Sequence, residues 1–307
     1  HTFFQCLDNQ SWTEGIRFRQ EADISFSDCT FSYDKAKERV GIYQGEALLG
    51  AVDRNGKIFR NYVSGVTIDI QQMRLEEAYL ERYMQVFAGE YDGQGHSVSG
   101  FILSGTDTMH NGIFGYLAKQ SSVYDLNIQD CFLLNACGTI CGLNSGTIQD
   151  CSAKRIVGLG WWLGGIAESN DGTMLRCKLD YGTLVSSIGF TAMGLRMGGI
   201  AGSIYLGKIS DCAVEHSQIF AYDRVNTYAG GIVGDQNMGQ VSSCSNYGDC
   251  SIPQRGETYI AGGIVGFIES YGKSEVYNCI SAGEITGGVV GGLVGMTAQK
   301  QDHVSAT

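Results

Sequence analysis

The sequence predicts an all-β chain wound as a right-handed parallel β-helix, and three observations carry that prediction. The first is a five-residue phrase of the form Gly-Gly-apolar-small-Gly. It recurs as Gly198-Gly199-Ile200-Ala201-Gly202, Gly230-Gly231-Ile232-Val233-Gly234, Gly262-Gly263-Ile264-Val265-Gly266 and Gly291-Gly292-Leu293-Val294-Gly295, after a degenerate copy, Gly164-Gly165-Ile166-Ala167-Glu168. The first glycines are spaced 34, 32, 32 and 29 residues apart, a period that marks a stacked repeat. The second observation is what the repeats are made of. The chain has 44 Gly, several in every repeat, and each glycine inside a helix costs about 0.8–1 kcal/mol relative to alanine. No stretch after residue 100 holds an i, i+3, i+4, i+7 apolar stripe. Short runs such as 122–128, 146–151 and 207–212 are bounded instead by Gly, Asn, Asp or Ser, the signature of strands between turns. The third is a ladder of strands that end in cysteine, 11 to 15 residues after the apolar member of each phrase.

Taken in order, residues 1–29 read as a first β-helix coil. Residues 30–85 read as a mixed α/β insertion or cap. It holds strand-like runs at 40–52 and 57–70, a hairpin turn at Asp53-Arg54-Asn55-Gly56, and then the one expected helix, 71–84, with Leu75, Ala78, Tyr79 and Arg82 at helical spacing. Such an insertion is either a brace for the scaffold or the seat of its specific function. Residues 86–295 carry the repeats. Residues 296–307 form a polar tail too short to cap the open sheet edges of a β-helix, so the chain reads as part of a larger polypeptide.

The ladder cysteines are Cys177, Cys212, Cys244 and Cys279, joined by Cys131 and Cys151 in the near-identical phrases Ile128-Gln129-Asp130-Cys131 and Ile148-Gln149-Asp150-Cys151. Equivalent positions stack about 4.8 Å apart in a β-helix, which predicts one buried column of six. The total of 11 Cys is odd, and no paired CxxC clusters suggest zinc. A reduced, buried ladder is therefore expected, with a Cys6–Cys29 or Cys244–Cys250 bridge as the exception. Free thiols in such number would suit an oxygen-poor habitat.

The net charge of −11, with scattered basic residues, argues against nucleic acid and against polyanions spread over the whole surface. No apolar run approaches the roughly 18–20 residues of a membrane span, so no membrane insertion is expected. Gly93-Gln94-Gly95 lacks the strand–GxGxxG–helix setting of a phosphate loop. The nonapeptide calcium repeat is missing, and no cofactor or metal is expected.

Two sets of side chains are candidates for a site. Trp161 and Trp162 precede one glycine phrase where Tyr228 and Tyr259 precede later ones. These rings are expected on one flank, where a flat aromatic column could stack the apolar faces of sugars. Neighbouring tryptophans cannot both point inward from a regular strand, although rings that cover glycine backbone are the plainer reading. Glu168, Asp235 and Glu269 each follow a glycine phrase and could line one turn column, as a polysaccharide-cleaving enzyme would require. Asp130, Asp150 and Asp211 repeat regularly before a cysteine, as solvated positions do. His96 belongs to a turn, and His110, His216 and His303 show no partner at a telling spacing.

The segment Phe87-Ala88-Gly89-Glu90-Tyr91-Asp92-Gly93-Gln94-Gly95-His96-Ser97-Val98 resembles the opening F-x-G-x-x-D-G-x-G-H-x-I phrase of bacterial extracellular β-helices, and Asn111-Gly112-Ile113-Phe114-Gly115 resembles the next phrase of those proteins. The glycine phrases resemble the GLUG motif of large secreted or cell-wall-anchored proteins, which include non-catalytic regions of IgA-specific metallopeptidases and gut-bacterial surface proteins. The resemblance covers about residues 86–295. The His-Glu-x-x-His signature of those peptidases is absent here. In the resembling proteins a segment like Glu21-Ala22-Asp23-Ile24-Ser25-Phe26 leads quickly into the FxGxxDG phrase, whereas here the insertion intervenes. The resemblance implies an extracellular or bacterial cell-surface location. With it, the expected function is a non-catalytic adhesive module that binds host or dietary glycans, or a surface protein, through Trp161, Trp162, Tyr228 and Tyr259. The alternatives are a glycoside hydrolase or lyase using Glu168, Asp235 and Glu269, and a structural spacer.

Overall fold

Short strands, each stopped by a forced change in backbone direction, stack in parallel register along this chain. The computed structural model describes residues 10–55, 57–60, 74–75, 86–104, 111–135, 137–186, 194–222, 226–253, 258–269, 272–298 and 304–306. They form a parallel β-helix, with one antiparallel sheet attached. One coil shows the plan. Thr147–Gln149 lies in the first wall, Ser152–Lys154 and Val157–Gly160 form the two halves of the second, Trp162–Gly164 lies in the third and Ala167–Asn170 in the fourth. In the first wall Ile148 stands on Met174, then Ile209, Val241 and Val276, all buried. Period-two alternation turns one residue of each three-residue strand into the core.

Two corners of the coil rest on one residue in left-handed backbone. At the first stand Asp125, Asp150, Arg176, Asp211, Ser243 and Asn278, with φ between 51° and 55°. At the second stand Asp130, Arg155, Tyr181 and His216, with φ from 44° to 53°. Left-handed backbone costs a non-glycine residue roughly 1–2 kcal/mol, and at the first corner core burial of the following side chain offsets it. That next residue is Leu126, Cys151, Cys177, Cys212, Cys244 or Cys279 at the first corner, and Cys131 or Ile156 in two coils of the second, where Gly182 and Ser217 follow Tyr181 and His216. The cysteine column therefore has five members, not six. Cys131 ends a phrase like that of Cys151 but belongs to the other corner, because Asp130 and Asp150 both stand in left-handed backbone before a buried cysteine. All ten described cysteines are free. Neither Cys29 nor the Cys244–Cys250 pair is bridged, and Cys6 lies outside the described residues. Burial pushes the Cys151 and Cys212 thiols up, and that of Cys250 to about 12.

The glycine phrase makes the tight corner between the third and fourth walls, and each glycine has its own reason. A Cβ on the first, at Gly230, would lie 1.9 Å from the Val233 carbonyl oxygen. On the second, at Gly231, it would lie 2.3 Å from the Gly263 carbonyl oxygen of the next coil. On the fifth, at Gly234, it would lie 2.6 Å from the Met197 backbone nitrogen. Only glycine lets backbone approach backbone so closely.

Across the second half of the second wall the alternation fails. Leu133, Leu184 and Ile219 join the core, while their neighbours Phe132, Leu134, Val157, Leu159, Val185 and Phe220 form a second cluster with Cys29, Phe31, Val40, Ile42, Leu49 and Val52. A wall apolar on both faces must be covered. The cover is an antiparallel four-stranded sheet, Cys29–Asp34, Arg39–Gln44, Ala47–Asp53 and Ile58–Arg60. The run expected at 40–52 is thus two strands, split at Gly45 with φ +58°. The hairpin expected at 53–56 is present, with the Asp53 Oδ1 accepting from the backbone of Asn55 and Lys57. This sheet is a side brace. Arg54, only 5% exposed, pins it by donating from Nε to the Ser186 carbonyl at 2.9 Å and from Nη2 to the Tyr222 carbonyl at 3.2 Å.

The helix expected at 71–84 lies outside the described residues except for Arg74–Leu75, a short strand paired with Ile102 and Leu103. Arg17–Arg19 and Ile24–Ser25 add a coil ahead of Glu90–Asp92 and Ser97–Ser104. Within the expected tail, Val304–Ala306 pairs in parallel with Ser274–Val276.

Candidate functional site

The aromatic flank comes apart into two columns. Trp162, Arg196, Tyr228 and Ile260 stack in one column of the third wall, whereas Tyr259 follows Thr227 and Leu195 in its neighbour. Trp161 is 8% exposed and packs on Leu195. Trp162 is half-buried, donates from Nε1 to the Gly194 carbonyl at 3.2 Å, and carries the Arg196 guanidinium 5.0 Å from its ring centroid. Tyr228 stacks on Phe267 at 4.4 Å and 17°. The rings are used within the molecule, so they do not present one flat platform.

The three acids do not line one column either. Glu168 occupies the place of the fifth glycine, between Ala167 and Ser169, which pair with Ala201 and Ser203. Asp235 stacks one position further on, over Ser203 and Phe267, and Glu269 follows Ile268 at the end of its strand. Glu168 is 2% exposed and Asp235 0%. The Arg196 Nε donates to Asp235 Oδ2 at 2.7 Å, while Oδ1 is buried with no hydrogen-bond partner among the described residues. Burial raises the Asp235 carboxyl to about 6 against the opposing pull of Arg196. Asp130 and Asp150 are outward ion-pair partners, each gripping an arginine of the next coil, Arg155 at 2.6 Å and Arg176 at 2.6 Å.

A concavity lies elsewhere, beside the antiparallel sheet. A groove of about 480 Å³ separates the edge strand Cys29–Asp34 of the brace from the second corner. Lys35, Tyr33, Arg155, Tyr181, Thr183 and Gln218 are among its lining residues. Its size falls within the usual range of ligand pockets, about 300–1,000 Å³. Tyr181 is 52% exposed. His216, which has no partner evident in the sequence, stacks on Tyr181 at 4.7 Å and 11°, with Nδ1 at 3.0 Å from Asp180 Oδ1. Asp180, Glu215 and His216 could offer a cation three ligand atoms within 4.8 Å of one another. Lys178 already holds Glu215 at 2.7 Å, and Lys154 lies 4.0 Å from Asp180, so the two carboxylates are balanced without an ion. His96 sits 3.4 Å from Asp23 and braces a turn, while His110 and His303 lie outside the described residues.

No signal in the sequence marks this groove, since its walls come from segments far apart in the chain, Thr30 to Lys35 on one side and Asp130 onward on the other. The one hint is the uninterrupted apolar run Phe132-Leu133-Leu134, which announces a covered wall. Compared with known proteins, the chain matches no family model, no curated protein and no solved structure.

Proposed function

We propose that this β-helix is a non-catalytic ligand-binding module that holds an oligosaccharide in the groove beside its brace. The observation that carries the reading is the groove itself, where aromatic edges, hydroxyl and amide groups and paired charges meet in one concavity. Sugars are recognised by this mixture of planar polar groups and aromatic surface. The GLUG-like phrases support a place in a larger secreted or cell-surface bacterial protein, with a host or dietary glycan as partner. The expected platform of Trp161, Trp162, Tyr228 and Tyr259 becomes the secondary surface, because its rings already serve Arg196, Leu195 and Phe267.

The test is incubation with a panel of polysaccharides and mucin glycans, scoring retention and released oligosaccharide together. Retention without release, lost in Tyr181→Ala combined with Gln218→Ala and kept in Trp162→Ala, supports the reading. Retention of nothing refutes it and leaves a spacer or a protein adhesin. A second reading, a hydrolase or lyase, draws on the raised carboxyl of Asp235. Released product abolished by Asp235→Asn would establish it.

A further inference from the structure

Resting on that reading, we infer that the groove takes an oligosaccharide bearing a single carboxylate, received by Lys35 and Arg155. The lining holds two cations, Lys35 and Arg155, against one carboxylate, Asp130. That local excess is positive on a chain whose net charge is −11. Arg155 spends Nε and Nη2 on Asp130 at 2.8 and 2.6 Å, and Nη2 also reaches Gln129 at 3.0 Å. Its Nη1 has no acceptor among the described residues, so one edge of a rigidly held guanidinium stays available to an incoming oxygen.

Lys35 projects from the turn after the edge strand, its ammonium 4.6 Å from the Phe220 ring centroid. The nearby acid Asp34 is held by Lys37 at 3.0 Å, and Lys35 has no ion-pair partner among the described residues.

Two cationic donors, Lys35 and Arg155, against a single carboxylate already held by Arg155 select an anionic group. The overall charge of −11 sets the upper limit, since a chain of many carboxylates would be repelled everywhere except at this groove. A terminal carboxylated sugar meets both conditions. Two kinds of sugar supply it, a sialic acid or a uronic acid, and the carboxylate is the shared chemistry.

The experiment is calorimetric titration of the intact chain with 3′-sialyllactose against lactose, and with cellobiouronic acid against cellobiose, at low and high salt. At least one acidic sugar should bind about tenfold more tightly than its neutral partner, as a charge-assisted hydrogen bond implies. Salt should shrink that difference. Lys35→Met and Arg155→Gln should each narrow the ratio of acidic to neutral affinity, and Lys35 is exposed enough for its variant to fold. Equal affinity for acidic and neutral partners would overturn the inference and leave the glycan-binding reading standing. An acidic preference unchanged in both variants would overturn the assignment to Lys35 and Arg155. If these four sugars and the whole glycan panel all fail to bind, the underlying reading falls and takes this one with it.

Discussion

Arg196 donates to Asp235 at 2.7 Å across two adjacent walls, joining the column of Trp162 to that of Ser203 and Phe267. The Asp235 carboxyl is fully buried and raised from 3.8 to about 6. It therefore holds its proton more tightly in the fold than in the unfolded chain. Folding takes up a proton in that window, and stability falls as pH rises through it. The cost of the ionised form at neutral pH is roughly 3 kcal/mol relative to an unperturbed carboxyl. Urea denaturation of wild type and Asp235→Asn should show the variant gaining relative stability between pH 4 and pH 6 and levelling above. A difference that does not vary with pH would show that the burial of Asp235 is not felt as charge.

Glycine at the tight corner is a requirement of contact, and the last coil supplies its control. Gly231→Ala would place a Cβ 2.3 Å from the Gly263 carbonyl oxygen, whereas at Gly292 no atom lies within 4 Å. Gly231→Ala should cost about 3 kcal/mol or more, within the tail reserved for steric overlap, and Gly292→Ala should stay within about 0.5 kcal/mol. Thermal unfolding of the pair checks this. Equal effects would mean that the phrase is kept for some reason other than coil-to-coil contact.

The brace is held by a buried arginine. Removing the two carbonyl contacts of Arg54 should cost about 2–4 kcal/mol, since hydrogen bonds to charged groups contribute roughly 1.5–3 kcal/mol each and partly overlap. Limited proteolysis of Arg54→Ala should cut within residues 29–60 before the stacked coils are lost. Simultaneous loss of both would make the brace an integral part of the solenoid.

The cysteine column should be silent to reagents except at its end. Cys151, Cys177, Cys212 and Cys244 are buried at about 1% exposure, while Cys279 is half-buried. Mass spectrometry after brief treatment with a thiol reagent should find Cys279 labelled and those four modified only in denaturant. Labelling of Cys212 in the native protein would show that the coils open.

The fold was legible because its constraints repeat. Gly230 and its equivalents meet the same carbonyl in every coil, so one steric rule prints one phrase several times. Cys131 misleads because Asp130 and Asp150, at different corners, both stand in left-handed backbone before a buried cysteine, and a short phrase cannot say which corner it serves. Trp162 and Tyr228 were legible as neighbours, but not their engagement by Arg196 and Phe267, which depends on the adjacent wall. Tyr181, Arg155 and Lys35 gave no signal, because the groove exists only once the brace is folded onto the second wall.

Binding in the groove is decided by a crystal structure of the intact chain with the glycan best retained from the panel. Intact sugar should be found seated between Lys35, Arg155 and Tyr181, with the brace in place. Sugar lying instead on Trp162 and Tyr228, or a cleaved product beside Glu168 and Asp235, would contradict the assignment.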